Sequence, residues 1–376
     1  MLYFDHNATS PLLPAARQAW LDATDRFVGN PSSPHRIGAR AEMALDAARE
    51  ALAASLDCGP LEIIWTSGAT ESSNMVLHHL ARSLGSDVEI WISVTEHPCV
   101  LLGARHYFPG RHRLIPARRS GIVDLDWMEA NLRPSRPGAV AVMAANNETG
   151  ILQPWREILS LCRQREVPLF CDGAQWMGKE AAHGLGACEY VSGCAHKFGG
   201  PRGVGFLKVP RRGRFYPLVL GGGQEAGRRA GTENVAGVFS MIAALEDRER
   251  LLARNPMSEK VRLREEFERK LTETVAGTEI VGRDVDRLWN TVSVLMPPTK
   301  RRQRWVVKLD KLGFAVSTGS ACASGTEEPS HVLVAMGYAP DEAVRALRFS
   351  SGWETTRDDW AALLEAVQRV HVEGLN

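Results

Sequence analysis

The chain is expected to fold as an α/β protein built on a mostly parallel sheet, with a smaller α+β part towards its C-terminal end. Short apolar runs bounded by Gly, Thr or Asp alternate with stretches of helical periodicity through about the first 240 residues, which is the pattern of βαβ units. Polar residues collect just after those runs, where parallel sheets bind ligands. Beyond that point the alternation gives way to two long helical stretches and a few separated strands.

The elements follow in order. "SPHRIGARAEMALDAAREALAASLD" reads as a helix started by Ser33 or Pro34, with Ile37, Ala41, Leu45, Ala48 and Leu52 at helical spacing. "EIIWTSGATESSN" reads as a buried strand ending in a Gly/Thr turn that opens a second helix. "VEIWISV" ends at "TEHP", "GAVAVMAANNETG" ends in polar residues, "VPLFCDGAQ" ends at an aspartate, and "YVSGCAHKFGG" ends at a lysine. "NVAGVFSMIAALEDRERLLAR" and the charged "MSEKVRLREEFERKLTETV" read as long helices. "NTVSVLMP", "GFAVST" and "RALRFSSG" read as strands. In the last helix Thr356 caps with Asp359 three residues on, and Trp360, Leu363, Leu364, Val367 and Val370 form the apolar face.

A chain of 376 residues suggests roughly two domains. A formal net charge of +1 offers no electrostatic case for nucleic acid or an anionic membrane. The N-terminus lacks the basic and apolar regions of a signal peptide, and no apolar stretch is long enough to span a bilayer. Seven cysteines without framework spacing argue for a reducing, cytoplasmic setting. Walker A, HExxH, GxSxG and CxxC are absent, and no lysine precedes Lys179.

The chemistry-bearing residues lie at the strand ends. Lys197 sits between His196 and a glycine-rich turn. A Schiff-base lysine needs a sheltered site and a cofactor. Asp172 closes the preceding strand. An Asp and a Lys are the pair that pyridoxal phosphate needs: the carboxylate keeps the pyridinium nitrogen protonated and the amine holds the aldehyde as an imine. Gly68, Ala69 and Thr70 at a strand-to-helix turn offer amides and a hydroxyl for a phosphate; a plain N-cap at Thr70 is the competing reading. His97 could stack on a cofactor and move protons, or be structural. Cys322 lies in "STGSACASGTEEPS", a Gly/Ser/Thr loop where it cannot pack as a core residue.

The ordered set "YFDHNATSP", "GNPSSPHRIGARA", "TSGATESSN", "TEHP", "NNETG", "CDGAQ", "HKFGGPRGVG", "GGGQEAGRRAGTENV", "GSACASGTEEPSHVL" and "LRFSSG" resembles the cysteine desulfurases, pyridoxal-phosphate enzymes of the class V aminotransferase-like family. Within them it is most similar to the branch with a long active-site loop that supplies sulfur for iron–sulfur assembly. The resemblance covers residues 3 to about 356. It implies the fold type I, aspartate aminotransferase-like architecture of PLP-dependent transferases. Residues 13–250 would form the large PLP-binding α/β domain. Residues 1–12 and 251–376 would form a small α+β domain carrying the cysteine loop, about 317–330. It further implies a homodimer.

The resemblance also implies the roles. Lys197 would carry pyridoxal 5'-phosphate as an imine, Asp172 would pair with its ring nitrogen, and Gln175 would bond its ring hydroxyl. His97 would stack on the ring and act as acid and base. Thr70, the Ala69 amide and His196 would hold the phosphate, with Thr232 reaching it from the other subunit. Asn147 and Arg348 would hold the substrate, Arg348 by its carboxylate, for which a guanidinium fork is well shaped. Cys322 would attack the sulfur of L-cysteine bound as a ketimine, releasing L-alanine and keeping a persulfide for a sulfur-acceptor protein. A mobile loop suits a thiol that works both inside and outside.

Three positions depart from the family pattern: Cys194 for a serine, Ala226 for an arginine in "GGGQEAG", and Trp353 for an arginine after "RFSSG". Cys194 is assigned no phosphate role because a thiol is a poor donor. Asn7 varies in the family and is assigned none. The chain stops soon after its last helix, short of the tail that longer relatives use to dock scaffold proteins. Competing readings are a selenocysteine lyase or aminotransferase of the same fold, a non-catalytic subunit that docks a sulfur carrier, and a nucleotide-dependent enzyme. Cys322 argues against an aminotransferase. Retention of Lys197, Asp172 and Cys322 argues against the docking subunit, and "GGGQEAG" does not fit GxGxxG.

Overall fold

The computed structural model describes residues 1–254, 257–298, 304–318 and 329–375. Among them β1 (Leu2–Tyr3) opens the chain. The strands β2 (Ile63–Thr66), β3 (Ile90–Ser93), β4 (His112–Ile115), β5 (Val140–Ala141), β6 (Leu169–Asp172), β7 (Tyr190–Cys194) and β8 (Gly205–Lys208) follow. β9 (Glu279–Ile280), β10 (Thr291–Leu295), β11 (Phe314–Ala315) and β12 (Ala346–Ser350) complete the set.

β2 to β8 form one seven-stranded sheet in the order β2-β8-β7-β6-β5-β3-β4. Only β8 runs against its neighbours, β2 and β7; the other pairings are parallel. The inner strands read as continuous apolar runs because both faces are covered. Trp91 and Val191 enter the core on one side, while Ile90, Ile92 and Tyr190 enter the core on the other. The sheet is therefore mixed and mostly parallel, in the type I fold of PLP-dependent transferases. β4 and β8 go beyond the sequence reading. β4 is a half-exposed edge, and β8 was hidden behind a glycine-rich turn. Gly205 itself has a reason: a Cβ there would meet Gly68 Cα at 2.6 Å and Gly193 O at 2.5 Å. Only glycine lets β8 cross beneath the turn after β2.

The C-terminal strands form a separate antiparallel sheet, β12-β10-β9. β1 returns to pair parallel with β11, and Asp5 bridges to Ser350. Their own core holds Phe4, Phe267, Phe349 and Trp360, packed ring on ring at 4.7 to 5.6 Å. The helix Arg357–Leu375 covers this core with the five residues expected of it, all buried. Its capping box is present: Asp359 Oδ2 accepts from Thr356 N, and Asp359 N donates to Thr356 Oγ1.

The early helix differs from its sequence reading at its start. It runs Arg36–Leu56, and its cap is His35, whose ring accepts from Gly38 N. Neither Ser33 nor Pro34 caps it. Ile37, expected on the apolar face, is exposed.

Glu180 lies against Asp286 in the segment after β6. Burial, with Asp286 adding to it, pushes its carboxyl up to about 7. Folding therefore penalises the ionised form: the penalty is absent below the usual carboxylate value and complete above pH 7. Glu180→Gln is expected to leave Tm nearly unchanged at pH 4 and to raise it by roughly 3 °C at pH 8, which thermal scans at the two pH values will measure.

Candidate active site

The parallel strands all end at one edge, and a cavity of about 1930 Å³ opens there. β6 delivers Asp172 to its floor. One carboxylate oxygen accepts from Ser192 Oγ (3.0 Å) and Ala174 N (2.9 Å). The second has no hydrogen-bond partner among the described residues. After β7, a short 3-10 turn, Ala195–Lys197, carries His196 and Lys197 into the cavity. Lys197 Nζ donates to the carbonyls of Asn7 (2.6 Å) and Ala8 (3.0 Å). Burial, more than any neighbouring charge, lowers its pKa. The same burial brings His196 down to about 4.

The helix Ala69–Ser83 starts at the cavity wall with Gly68 as N-cap. Thr70 is thus inside the first turn, and the plain-cap reading of Thr70 is not realised. The Ala69 and Thr70 amides lie in the first turn, where a helix has no acceptors of its own. The Ala69 amide faces the buried Cys194 sulfur, whose pKa burial pushes up to about 11.

His97 caps the helix Pro98–Tyr107, its Nδ1 accepting from Cys99 N at 3.2 Å. A neutral ring in that bond carries its proton on Nε2. Burial lowers its pKa, with Asp172 opposing, so the neutral form is favoured. Cys99 also lines the cavity, its sulfur 3.0 Å from His97 Nδ1. Burial pushes the Cys99 thiol up to about 12, which leaves it protonated and inert.

Arg348 enters from β12 and is almost fully buried. Nη2 pairs with Asp5 Oδ1 at 2.7 Å and Nη1 donates to Asn147 O at 2.7 Å. Nε has no partner among the described residues. Asn147 and Gln175 line the same cavity. Every expected site residue of the described chain is therefore gathered here except Thr232. Thr232 is exposed and outside the lining, on a segment tied back by Arg229–Glu71 (2.8 Å) and Arg49–Glu225 (3.0 Å). Cys322 lies outside the described residues, as does most of its loop. The described stems flank the site: Ser317 pairs with Arg348 backbone to backbone, and Ser330 Oγ donates to Glu148 Oε2 at 2.5 Å.

Sequence reading passed over three residues. Asn7, given no role, is buried at the centre of the network. Its carbonyl accepts from Lys197 and Gln175, its Oδ1 from Lys179 (3.1 Å) and Asn290 (3.1 Å). Its Nδ2 donates to Thr291 Oγ1 (2.9 Å), and its amide to Ser350 Oγ (3.0 Å). Lys179 is a second buried amine, and Asp5 holds Arg348. The only signals were the scarcity of lysines and the polar "DHNATS" beside an apolar strand. Besides Cys194, the other two departures from the family pattern differ in kind. Trp353 packs on Trp289 at 4.7 Å and donates to Gly178 O, whereas Ala226 is exposed.

A fold of this type with a lysine, an aspartate and a helix N-terminus at one sheet edge defines a class of cofactor-dependent lyases and transferases. The aminotransferase class-V family pattern matches residues 2–363, and the chain belongs to that family. It is 38% identical over 93% of its length, and 87% of the relative's, to a cysteine desulfurase of Klebsiella pneumoniae. It is 33% identical over 98% of its length, and 94% of the relative's, to the cysteine desulfurase IscS of Dictyoglomus turgidum. The solved structure of a NifS-like protein from Rickettsia africae superposes with a TM-score of 0.88 at 29% identity, covering 99% of both chains. No helix among the described residues is long and apolar enough to cross a membrane.

Asn7→Ala removes one of the two acceptors of the Asn290 amide, Ser351 O remaining, and one of the acceptors of Lys179. The expected cost is about 1–3 kcal/mol, read as a lower denaturant midpoint at unchanged slope for the cofactor-free protein.

Proposed function

We propose that this chain is a cysteine desulfurase that uses pyridoxal 5'-phosphate to take sulfur from L-cysteine and passes it, through Cys322, to an acceptor protein. The observation that carries this reading is the meeting of Lys197, Asp172 and the N-terminus of the helix Ala69–Ser83 in one cavity, with the Arg348 guanidinium beside them.

The residues fit the cofactor. Asp172 has an oxygen left over for a ring nitrogen, the Ala69 and Thr70 amides suit a phosphate, and the Lys197 amine suits an aldehyde. When bound, the cofactor supplies an electron sink for the substrate. The chain does the rest. Burial favours the uncharged, nucleophilic amine of Lys197. Gln175 is assigned to the ring hydroxyl and His196 to the phosphate. His97, neutral with its proton on Nε2, is assigned to the face of the ring, where it would hold or move a proton. Arg348 holds the substrate carboxylate in competition with Asp5, beside Asn147. The thiolate of Cys322 attacks the substrate sulfur: an S–S bond forms, the C–S bond breaks, its electron pair stays with carbon, and that carbon takes a proton to give L-alanine.

Thr232 is proposed to reach the phosphate of the partner subunit in a homodimer, a role that its exposure supports. The separate cores support a large domain of 13–250 and a small one of 1–12 with 251–376. The six described cysteines are all unpaired, which supports a cytoplasmic setting.

Two measurements test the reading. Borohydride reduction of the yellow holoprotein is expected to fix the cofactor on Lys197; an adduct on any other lysine overturns that assignment. Mass spectrometry after L-cysteine is expected to find added sulfur on Cys322. Cys322→Ala should still change the cofactor spectrum with L-cysteine yet release no alanine, and full turnover by that variant would sink the persulfide step.

A further inference from the structure

Lys179 is completely buried, and no carboxylate among the described residues bonds it. Its Nζ donates to two neutral oxygens, Asn7 Oδ1 at 3.1 Å and Gln175 Oε1 at 2.5 Å. The charges that bear on it most are cationic, Lys197 and Arg348, with the Cys194 thiol opposing them, and together with burial they push its pKa well down. An amine kept in such a place at this cost does something that a packed methionine would not.

The two oxygens differ in how much they depend on it. Asn7 Oδ1 also accepts from Asn290 Nδ2, and Asn7 Nδ2 is held by Thr291 Oγ1, so Asn7 keeps its orientation without Lys179. Gln175 Oε1 has Lys179 as its one donor among the described residues. At the other end, Gln175 Nε2 donates to Asn7 O at 2.8 Å, a carbonyl it shares with Lys197 Nζ. If Nε2 turns from that carbonyl to a ligand, Lys179 alone decides which end of the amide faces the cavity.

We propose that Lys179 is a positioning residue that holds the Gln175 amide with its oxygen turned away from the cofactor and its NH₂ turned toward it. This rests on the cofactor assignment made above. An NH₂ aimed at the ring oxygen stabilises that oxygen in its deprotonated form. A flipped amide would set one lone pair against another.

The test is a pH titration of the absorbance of the bound cofactor in wild type, Lys179→Met, Gln175→Met and the double variant, with thermal scans to show that each is folded. Lys179→Met is expected to raise the midpoint by about one pH unit, Gln175→Met to do the same, and the double variant to add nothing. An unchanged midpoint in Lys179→Met, or a shift that persists in full in the Gln175→Met background, overturns the proposal. If Lys179→Met fails to fold, Lys179→Gln takes its place. It keeps one donor toward Gln175 Oε1 and is expected to shift the midpoint less, in the same direction; no shift overturns the proposal equally. A wild-type protein that acquires no cofactor absorbance would instead remove the cofactor assignment, and this proposal with it.

Discussion

The main chain and side chain of Asn7 bond Lys197, Gln175, Lys179, Asn290, Thr291 and Ser350 at once. Three of those residues follow β6 and β7 of the large sheet; the other three belong to β10, β12 and the turn before β10. The N-terminal segment is thus the joint between the two sheets. It adds to the direct contacts between the two parts, such as Arg348 Nη1 with Asn147 O and Trp289 Nε1 with Lys179 O, in setting the lysine and the arginine at a fixed separation. The pairing of β1 with β11 and of Asp5 with Ser350 puts the segment there. Phe4, buried among Phe349 and Trp360, secures it.

Lys197 and Arg348 line the cavity with Asp5 and Asp172, and the charge of Lys197 and Arg348 bears on the buried Lys179; Glu71, Asp341 and Glu342 also line the cavity. Burial works against every extra positive charge, so the lysines shift toward neutral amines and His97 and His196 toward neutral rings. Arg348 meets that constraint by pairing with Asp5 at 2.7 Å.

Much of this was legible from residue types. β2, β3, β6 and β7 are buried on both faces, and their apolar runs announce them. The Thr356–Asp359 cap was legible because it is local. The helix start at His35 was not, since a histidine cap looks like any other polar residue until its ring meets Gly38. β8 was not legible either, because its neighbours are glycines chosen for close approach rather than for strand propensity. In the site, Lys197, Asp172, His97 and Arg348 could be read because each follows or occupies a recognisable strand. Asn7, Asp5 and Lys179 could not. Their meaning lies in contacts with partners as much as 343 residues away.

That distance bears on how the protein is made. The segment that carries Asn7 is synthesised more than 300 residues before its partners β11 and Ser350, the latter 343 residues on. The large sheet can collapse meanwhile from local βαβ units, whereas contacts of such separation close late. Until they close, Lys197 lacks the carbonyls that anchor it. A chain that has not yet reached β11 and β12 would carry the lysine without its full setting.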